Sequence, residues 1–165
     1  MKYLLIIILI CFSACDTFDA GTLGAFQQWC FPVSQSKMAQ GLTNLLVKNP
    51  SYKIPEKWKY LDNWSERGYE SLEGQIIYFK KQPEEMYYIS YFSMYPQSIG
   101  NDTDSNITKL AIRSVNNGGI KWYGIDDLVK DSSEVNRINK RFYVEIILKL
   151  EKQMNVEVKK DESDL

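Results

Sequence analysis

The chain has 165 residues, no histidine and a formal net charge of −1, with 20 Lys and Arg against 21 Asp and Glu. Without histidine, Ser-His-Asp and Cys-His catalysis and every metal site that needs an imidazole ligand are excluded. The near-balance of charges offers no basic face for nucleic acid and no cationic excess for an anionic membrane surface. We therefore expect no nucleic-acid partner and no cofactor.

Residues 1–16, MKYLLIIILICFSACD, have the pattern of a secretory signal. One lysine precedes ten apolar residues, Tyr3 to Phe12, and small residues follow them. Ten helical residues rise about 15 Å, which is half of a ~30 Å hydrocarbon core. This run is too short to remain in the bilayer as a span, so the pattern predicts export of the chain.

The end of this leader, Ser13-Ala14-Cys15, resembles the lipobox of bacterial lipoproteins, in which the cysteine is lipidated and becomes the new N-terminus. That pattern usually has Leu three residues before the cysteine, where this chain has Phe12. Cleavage by an ordinary signal peptidase is the alternative, but that site needs a small residue at the same place. The resemblance implies at least two acyl chains, such as palmitate, on Cys15. Two chains would hold the protein almost permanently on a membrane of the bacterial cell envelope, inner or outer.

The sequence predicts one domain behind this anchor. Removal of the signal peptide, residues 1–14 of the 165, leaves 151 residues, enough for a single domain with its own core. Residues 15–25 mix small and polar side chains and are predicted to be a lipidated tether. Residues 26–154 are predicted to form the domain, and 155–165 to form a charged, flexible tail.

The first predicted element of the domain is a helix that ends at Asn49-Pro50. Ser34 or Ser36 can cap it, and apolar residues recur at helical spacing behind them: Met38, Leu42, Leu45 and Leu46. Residues 50–73 follow no clean period. They are predicted to form a long connection that its aromatic side chains hold to the rest of the domain.

The middle of the chain is predicted to be β-structure. Ile76–Phe79 and Met86–Tyr95 are rich in strand formers, with a loop between them. Residues 107–115 alternate between apolar and polar side chains. Asn117-Gly118 then predicts a type I′ hairpin that leads to a partner strand over Ile120–Ile125.

The last predicted element is a long helix over 132–153, opened by a capping box of Asp131 and Glu134. Its apolar stripe at helical spacing consists of Val135, Ile138, Phe142, Ile146 and Leu150. Residues 142–150 also alternate strictly, so a strand is the alternative there. The order helix, hairpin, hairpin, helix predicts an α+β domain. We expect a mostly antiparallel four-stranded sheet packed by an N-terminal and a long C-terminal helix.

Aromatic residues make up 13% of the chain and provide the candidate ligand-binding residues Tyr87, Tyr91, Tyr95 and Trp122. The three tyrosines share one face of the predicted strand Met86–Tyr95. A tyrosine row can line a cleft that stacks on sugar rings or grips a peptide, because each ring keeps a hydroxyl that needs a partner. The alternative is that these tyrosines only bridge core and rim, as is common in strands.

The sequence provides no credible catalytic set and no metal site. The Asx-rich run Asp102–Asn106 copies only the first half of a calcium loop. We therefore expect a non-catalytic, lipid-anchored accessory protein of the envelope, with an envelope protein or a glycan as partner. One alternative is a carboxylate-based hydrolase of envelope glycans, which needs two acids in a pocket. Another is an inhibitor or immunity-type lipoprotein that reaches into its partner with residues 50–73.

Overall fold

Five antiparallel strands form one sheet in the computed structural model, which describes residues 25–64, 73–94 and 107–161. The strands are β1 (Gln28–Phe31), β2 (Gly74–Phe79), β3 (Glu85–Met94), β4 (Ile107–Asn116) and β5 (Lys159–Lys160), in the order β2-β3-β4-β1-β5. The helices are α1 (Gln35–Lys48), the short α2 (Ile125–Leu128) and α3, which runs from Ser132 to Met154. The predicted α+β class with N-terminal and long C-terminal helices is confirmed.

Helix α1 forms as its sequence predicts. The Ser34 side chain accepts a hydrogen bond from the Lys37 backbone N–H at 3.3 Å and satisfies one of the donors at the helix start. The helix ends at Asn49, before Pro50, because proline cannot continue an α-helix. Three of the four apolar residues at helical spacing are buried against the sheet and Leu46 packs beside them.

Helix α3 confirms the helical interpretation of residues 142–150 over the strand alternative. The Asp131 carboxylate accepts a hydrogen bond from the Glu134 backbone N–H at 3.0 Å. Phe142, Ile146 and Leu150 are fully buried on the face that meets the sheet. The helix closes at Asn155, which adopts the left-handed conformation with φ 53° that commonly ends helices.

The first predicted hairpin is confirmed. Strand β2 pairs with β3 so that Ile76 lies opposite Tyr88 and Tyr78 opposite Met86. Strand β3 lies between β2 and β4, and hydrophobic clusters cover both of its faces. Its residues alternate between two clusters: Tyr87 enters the main core with the helices, and Tyr88 enters a second cluster on the opposite face of the sheet.

The second predicted hairpin is wrong. After β4 the chain returns beside it at a single bridge, Val115 with Tyr123, instead of a strand over Ile120–Ile125. A type I′ turn needs positive φ at both central residues, and here Gly118 has φ 90° while Asn117 does not. The Asn116 side chain binds the backbone of the loop from within, which replaces the hydrogen bonds of a regular ladder.

Two strands were not predicted. Strand β1 pairs with β4, with Trp29 opposite Leu110, and takes the place that the sequence had assigned to the second hairpin. Strand β5 pairs with β1, and Lys109 forms an ion pair with Asp161 just after it. Residues 155–161 therefore belong to the domain, in contrast to the flexible tail predicted for 155–165, of which 162–165 lie outside the described residues.

The second cluster explains how the connection after α1 is held. Trp64 stacks on Tyr88 with ring centroids 3.9 Å apart, and Trp122 meets Trp64 edge-on at 5.1 Å. Trp58 meets Tyr78 edge-on at 5.5 Å. Aromatic side chains therefore hold the connection to the sheet, as predicted, as far as Trp64. The rest of it, 65–72, lies outside the described residues.

Candidate functional site

The candidate ligand-binding residues do not share one cleft. Tyr87 is 0% exposed in the main core, where its hydroxyl donates a hydrogen bond to Glu85 at 3.0 Å. Trp122 is buried in the second cluster, on the other face of the sheet. Side chains along β3 alternate between the two faces of the sheet, and this alternation directs Tyr87 toward the helices, away from the face that holds Trp122. Tyr91 is half-buried against the main core, and Tyr95, like Cys15, lies outside the described residues.

A cleft of about 440 Å³ opens elsewhere, between the end of β2, the turn after α1 and the middle of α3. Its lining residues are Ser51, Tyr52, Phe79, Lys80, Lys81, Arg141 and Glu145, and we call it the Tyr52 cleft. The volume lies at the lower end of the range of sites for small molecules. The walls are aromatic and the mouth is cationic.

The local sequence places each wall of the Tyr52 cleft. Pro50 follows α1 and opens a 3-10 turn over Pro50–Tyr52, which directs the Tyr52 ring back toward the sheet. Phe79 is the last residue of β2, and its ring meets that of Tyr52 edge-on at 5.7 Å. Two lysines follow directly, where the chain leaves the sheet.

The third wall is an irregular turn of α3. Between two α-helical segments, Ser132–Phe142 and Leu148–Met154, the five residues Tyr143–Ile147 form a π-helix. Such turns are rare and are frequently found at functional sites. Here the π-helical turn carries Glu145 into the Tyr52 cleft.

Tyr52, Glu145 and Lys149 form a polar cluster on this turn. The Tyr52 hydroxyl lies 2.7 Å from Glu145 Oε2 and 3.2 Å from the Glu145 carbonyl oxygen. Lys149 Nζ contacts the same carboxylate at 3.2 Å and also donates to the Tyr52 hydroxyl. The cluster therefore joins the turn after α1 to the π-helical turn, 93 residues away in sequence.

The cluster holds its members in fixed protonation states. The hydrogen bond from Tyr52, and then that from Lys149, lowers the pKa of Glu145. Burial raises the pKa of Tyr52. The pKa of Lys149 is raised as well, because its bonds to Tyr52 and Glu145 outweigh the opposing effect of burial. All three shifts lead away from neutrality, whereas general acid–base catalysis needs groups that titrate near it.

We expect this cluster to make stability depend on pH through Glu145. Because its folded pKa lies below the ordinary value of 4.5, its contribution is present above that value and is lost as the pH falls through the folded pKa. Glu145→Gln should therefore unfold more easily than the wild-type protein at about pH 7, and the difference should shrink at about pH 3. Urea titrations at both pH values measure it.

The control for this pH test is Glu157→Gln, since Glu157 is exposed beyond the end of α3. Its free energy of unfolding should stay close to that of the wild-type protein at both pH values. A stability difference for Glu145→Gln that is the same at low and neutral pH would contradict the assigned ionic role of Glu145.

Arg141 links the Tyr52 cleft to a buried ion-pair network. Its guanidinium lies 4.9 Å from the ring centroid of Phe79 and donates to the Lys81 carbonyl oxygen at 2.7 Å. It also donates to Glu85 at 2.6 Å. Glu85 is 1% exposed and accepts further bonds from Arg137 and Tyr87. Arg141 is therefore held by the protein itself.

Another cavity, of about 210 Å³, contains an acid pair of the kind that the hydrolase alternative requires, Glu85 and Glu134. Arg137 binds both carboxylates, and its hydrogen bond lowers the pKa of Glu134. A catalytic acid needs a raised pKa instead. This geometry is typical of a structural ion-pair network.

The Tyr52 cleft was not predicted from the sequence. The spacing of Glu145 and Lys149, four residues apart, is a signal for a helical ion pair, but nothing in the sequence connects that pair to Tyr52. The two lysines after β2 look like an ordinary solvated loop. Only the packing of α3 across the end of β2 turns these residues into one site.

Comparisons of the chain with protein-family models, with curated proteins and with solved structures gave no significant match. Within residues 25–64, 73–94 and 107–161, none of the helices combines the length and the apolar character that crossing a bilayer requires. In the same ranges, no three Cys, Asp or Glu side chains gather in a way that could hold a metal ion. The function must therefore be inferred from the geometry of the Tyr52 cleft and from the predicted leader.

Proposed function

We propose that this chain is a non-catalytic binding protein, anchored to a bacterial envelope membrane by a lipid on Cys15, and that the Tyr52 cleft receives its ligand. The observation that carries the binding role is the π-helical turn Tyr143–Ile147, which departs from α-helical geometry at the wall of the cleft. Tyr52 and Lys149 fix that turn in place. The cleft is thus formed before any ligand arrives, which lowers the entropic cost of binding.

The chemistry of the cleft supports binding better than catalysis. Of the described residues that line it, Glu145 is the one carboxylate, and its pKa is lowered by Tyr52. A glycosidase requires two carboxyl groups on either side of the scissile bond, one of them protonated at neutral pH. The Tyr52 cleft supplies neither the pair nor the raised pKa.

The anchor would place this site close to a bilayer. The tether predicted over 15–25 has eleven residues, and a fully extended chain of that length spans at most about 40 Å. The domain would therefore meet ligands that are part of the membrane or lie near its surface. This proposal rests on the lipobox resemblance of residues 13–15.

A capture experiment with a variant that fills the cleft tests the binding role. Ser51 lines the Tyr52 cleft and is exposed, so Ser51→Trp should fill it without disturbing the core. Asn44→Trp adds the same side chain at an exposed position of α1. From solubilised envelope, the wild-type protein and Asn44→Trp should retain the same species, whereas Ser51→Trp should retain about tenfold less. Equal retention by all three proteins would overturn the proposed site.

The inhibitor or immunity role is the second candidate, and Tyr60 favours it. Tyr60 lies on the 3-10 helix Glu56–Leu61 of the connecting segment and is 62% exposed. Tyrosine is enriched among the residues that contribute most to protein–protein binding, so an exposed tyrosine here fits contact with a partner. Tyr60→Ala separates the two functions in the same capture experiment. A partner that is lost with Tyr60→Ala and kept with Ser51→Trp would assign binding to the connecting segment.

A further inference from the structure

We infer that the Tyr52 cleft selects an amphiphilic anion, meaning a carboxylate, sulfate or phosphate group joined to a compact apolar body. This inference rests on the proposed function, because it takes the cleft to be the binding site. It adds the chemical class of the ligand, which follows from the charges at the mouth and from the shape of the walls.

The charges at the mouth favour an anion. Lys80, Lys81 and Arg141 line the cleft together with Glu145, so the lining has three cationic side chains and one anionic side chain. Glu145 is already bound by Tyr52 and Lys149, and Arg141 is bound to Glu85.

The two lysines after β2 supply the positive charge that a ligand would meet at the mouth. Lys80 and Lys81 are exposed at the mouth, where their ammonium groups can turn toward a bound group. A ligand carboxylate or phosphate would gain charge-assisted hydrogen bonds there without breaking the ion pairs beneath. A cationic ligand would be repelled by the same side chains.

The walls favour an apolar body behind that anion. The rings of Tyr52 and Phe79 stand at 67° to each other and form a corner. A cleft of about 440 Å³ accommodates one small ring system or a short chain.

A neutral sugar fits less well. It would need several hydrogen-bonding groups directed into the cleft, and those of Tyr52 and Glu145 already bind each other and Lys149. The geometry therefore favours an anion with an apolar body over an uncharged glycan.

A pair of matched probes tests the inference: naphthalene-2-sulfonate, which has the ring system and one negative charge, and neutral 2-naphthol. Isothermal titration calorimetry with the full chain, in the same detergent throughout, gives the dissociation constants. We expect the sulfonate to bind at least about tenfold more tightly than the naphthol, and added salt to reduce that difference.

Substitution of the two lysines completes the test. Lys80→Ala/Lys81→Ala should reduce sulfonate affinity about tenfold and leave naphthol affinity unchanged. Lys48→Ala/Lys130→Ala changes the net charge equally at exposed lysines outside the cleft and should leave both affinities unchanged.

The possible failures are distinguishable. Equal affinity for the two probes, or sulfonate binding that Lys80→Ala/Lys81→Ala does not weaken, would overturn the anion selectivity while ligand capture by the cleft still stood. Absence of sulfonate binding to the wild-type protein would also overturn it. Ligand capture by the Tyr52 cleft fails separately, if Ser51→Trp retains the same species to the same extent as the wild-type protein.

Discussion

Replacement of Glu85 by alanine should lower the free energy of unfolding by about 3 kcal/mol, at the lower end of the range for breaking a buried ion pair. Glu85 is 1% exposed and binds Arg137, Arg141 and the Tyr87 hydroxyl. Without Glu85, the guanidinium groups of Arg137 and Arg141 would still be largely withdrawn from water but would lack the carboxylate that compensates them. Arg137 keeps a third of its side chain in solvent, which places the expected cost at the lower end. Urea denaturation measures it.

The neighbouring residue provides the control for that experiment. Glu84 has the same side chain one position earlier, but its ion-pair partner Lys57, 3.3 Å away, lies largely in solvent, and its other partner is the neutral Tyr78 hydroxyl. Glu84→Ala should therefore destabilise the domain less than Glu85→Ala, because it removes an exposed ion pair and one hydrogen bond from a neutral hydroxyl and leaves no buried cation without its carboxylate. Similar losses of stability from the two variants would show that burial of Glu85 does not set its contribution.

Replacement of Cys15 by serine should remove the protein from the membrane fraction or stall its processing with the leader attached. Each buried methylene of an acyl chain contributes about 0.8 kcal/mol to membrane binding, so loss of the two chains that we propose on Cys15 would change the partitioning almost completely. Fractionation of cells that express each form, followed by mass spectrometry of the N-terminus, measures both results.

Cys30→Ser is the control for the anchor, because Cys30 lies on β1, inside the domain. That variant should stay with the membranes and keep the same modified N-terminus as the wild-type protein. Unchanged membrane retention of Cys15→Ser, or an unmodified N-terminus on the native protein, would remove the lipid anchor and with it the proposed location.

Elements governed by neighbouring residues could be predicted well. A Ser cap and a helical apolar stripe are enough for α1, and the same logic with Asp131 predicted α3. The hairpin of β2 and β3 also followed from two strand-forming runs and a short loop. In each case the hydrogen bonds that stabilise the element join residues close in sequence.

Elements that depend on distant partners could not be predicted from the sequence. β1 has four residues, and its partner Leu110 lies 81 positions after Trp29, so nothing local distinguishes it from a loop. β5 has two residues and forms by pairing with the edge of β1. Asn117-Gly118 had a strong hairpin signal, but the Asn116 side chain took over the hydrogen bonds of the loop.

Composition and short-range periodicity were enough to exclude histidine chemistry and to predict the α+β class and the two principal helices, and the leader stays a prediction from the same kind of pattern. Which side chains share a site depends on how the elements pack. The tertiary structure buried Tyr87, placed Trp122 on the opposite face and brought Tyr52 within 2.7 Å of Glu145. Contacts of that kind depend on how α3 packs across the sheet, and the spacing of residues along the sequence does not specify that packing.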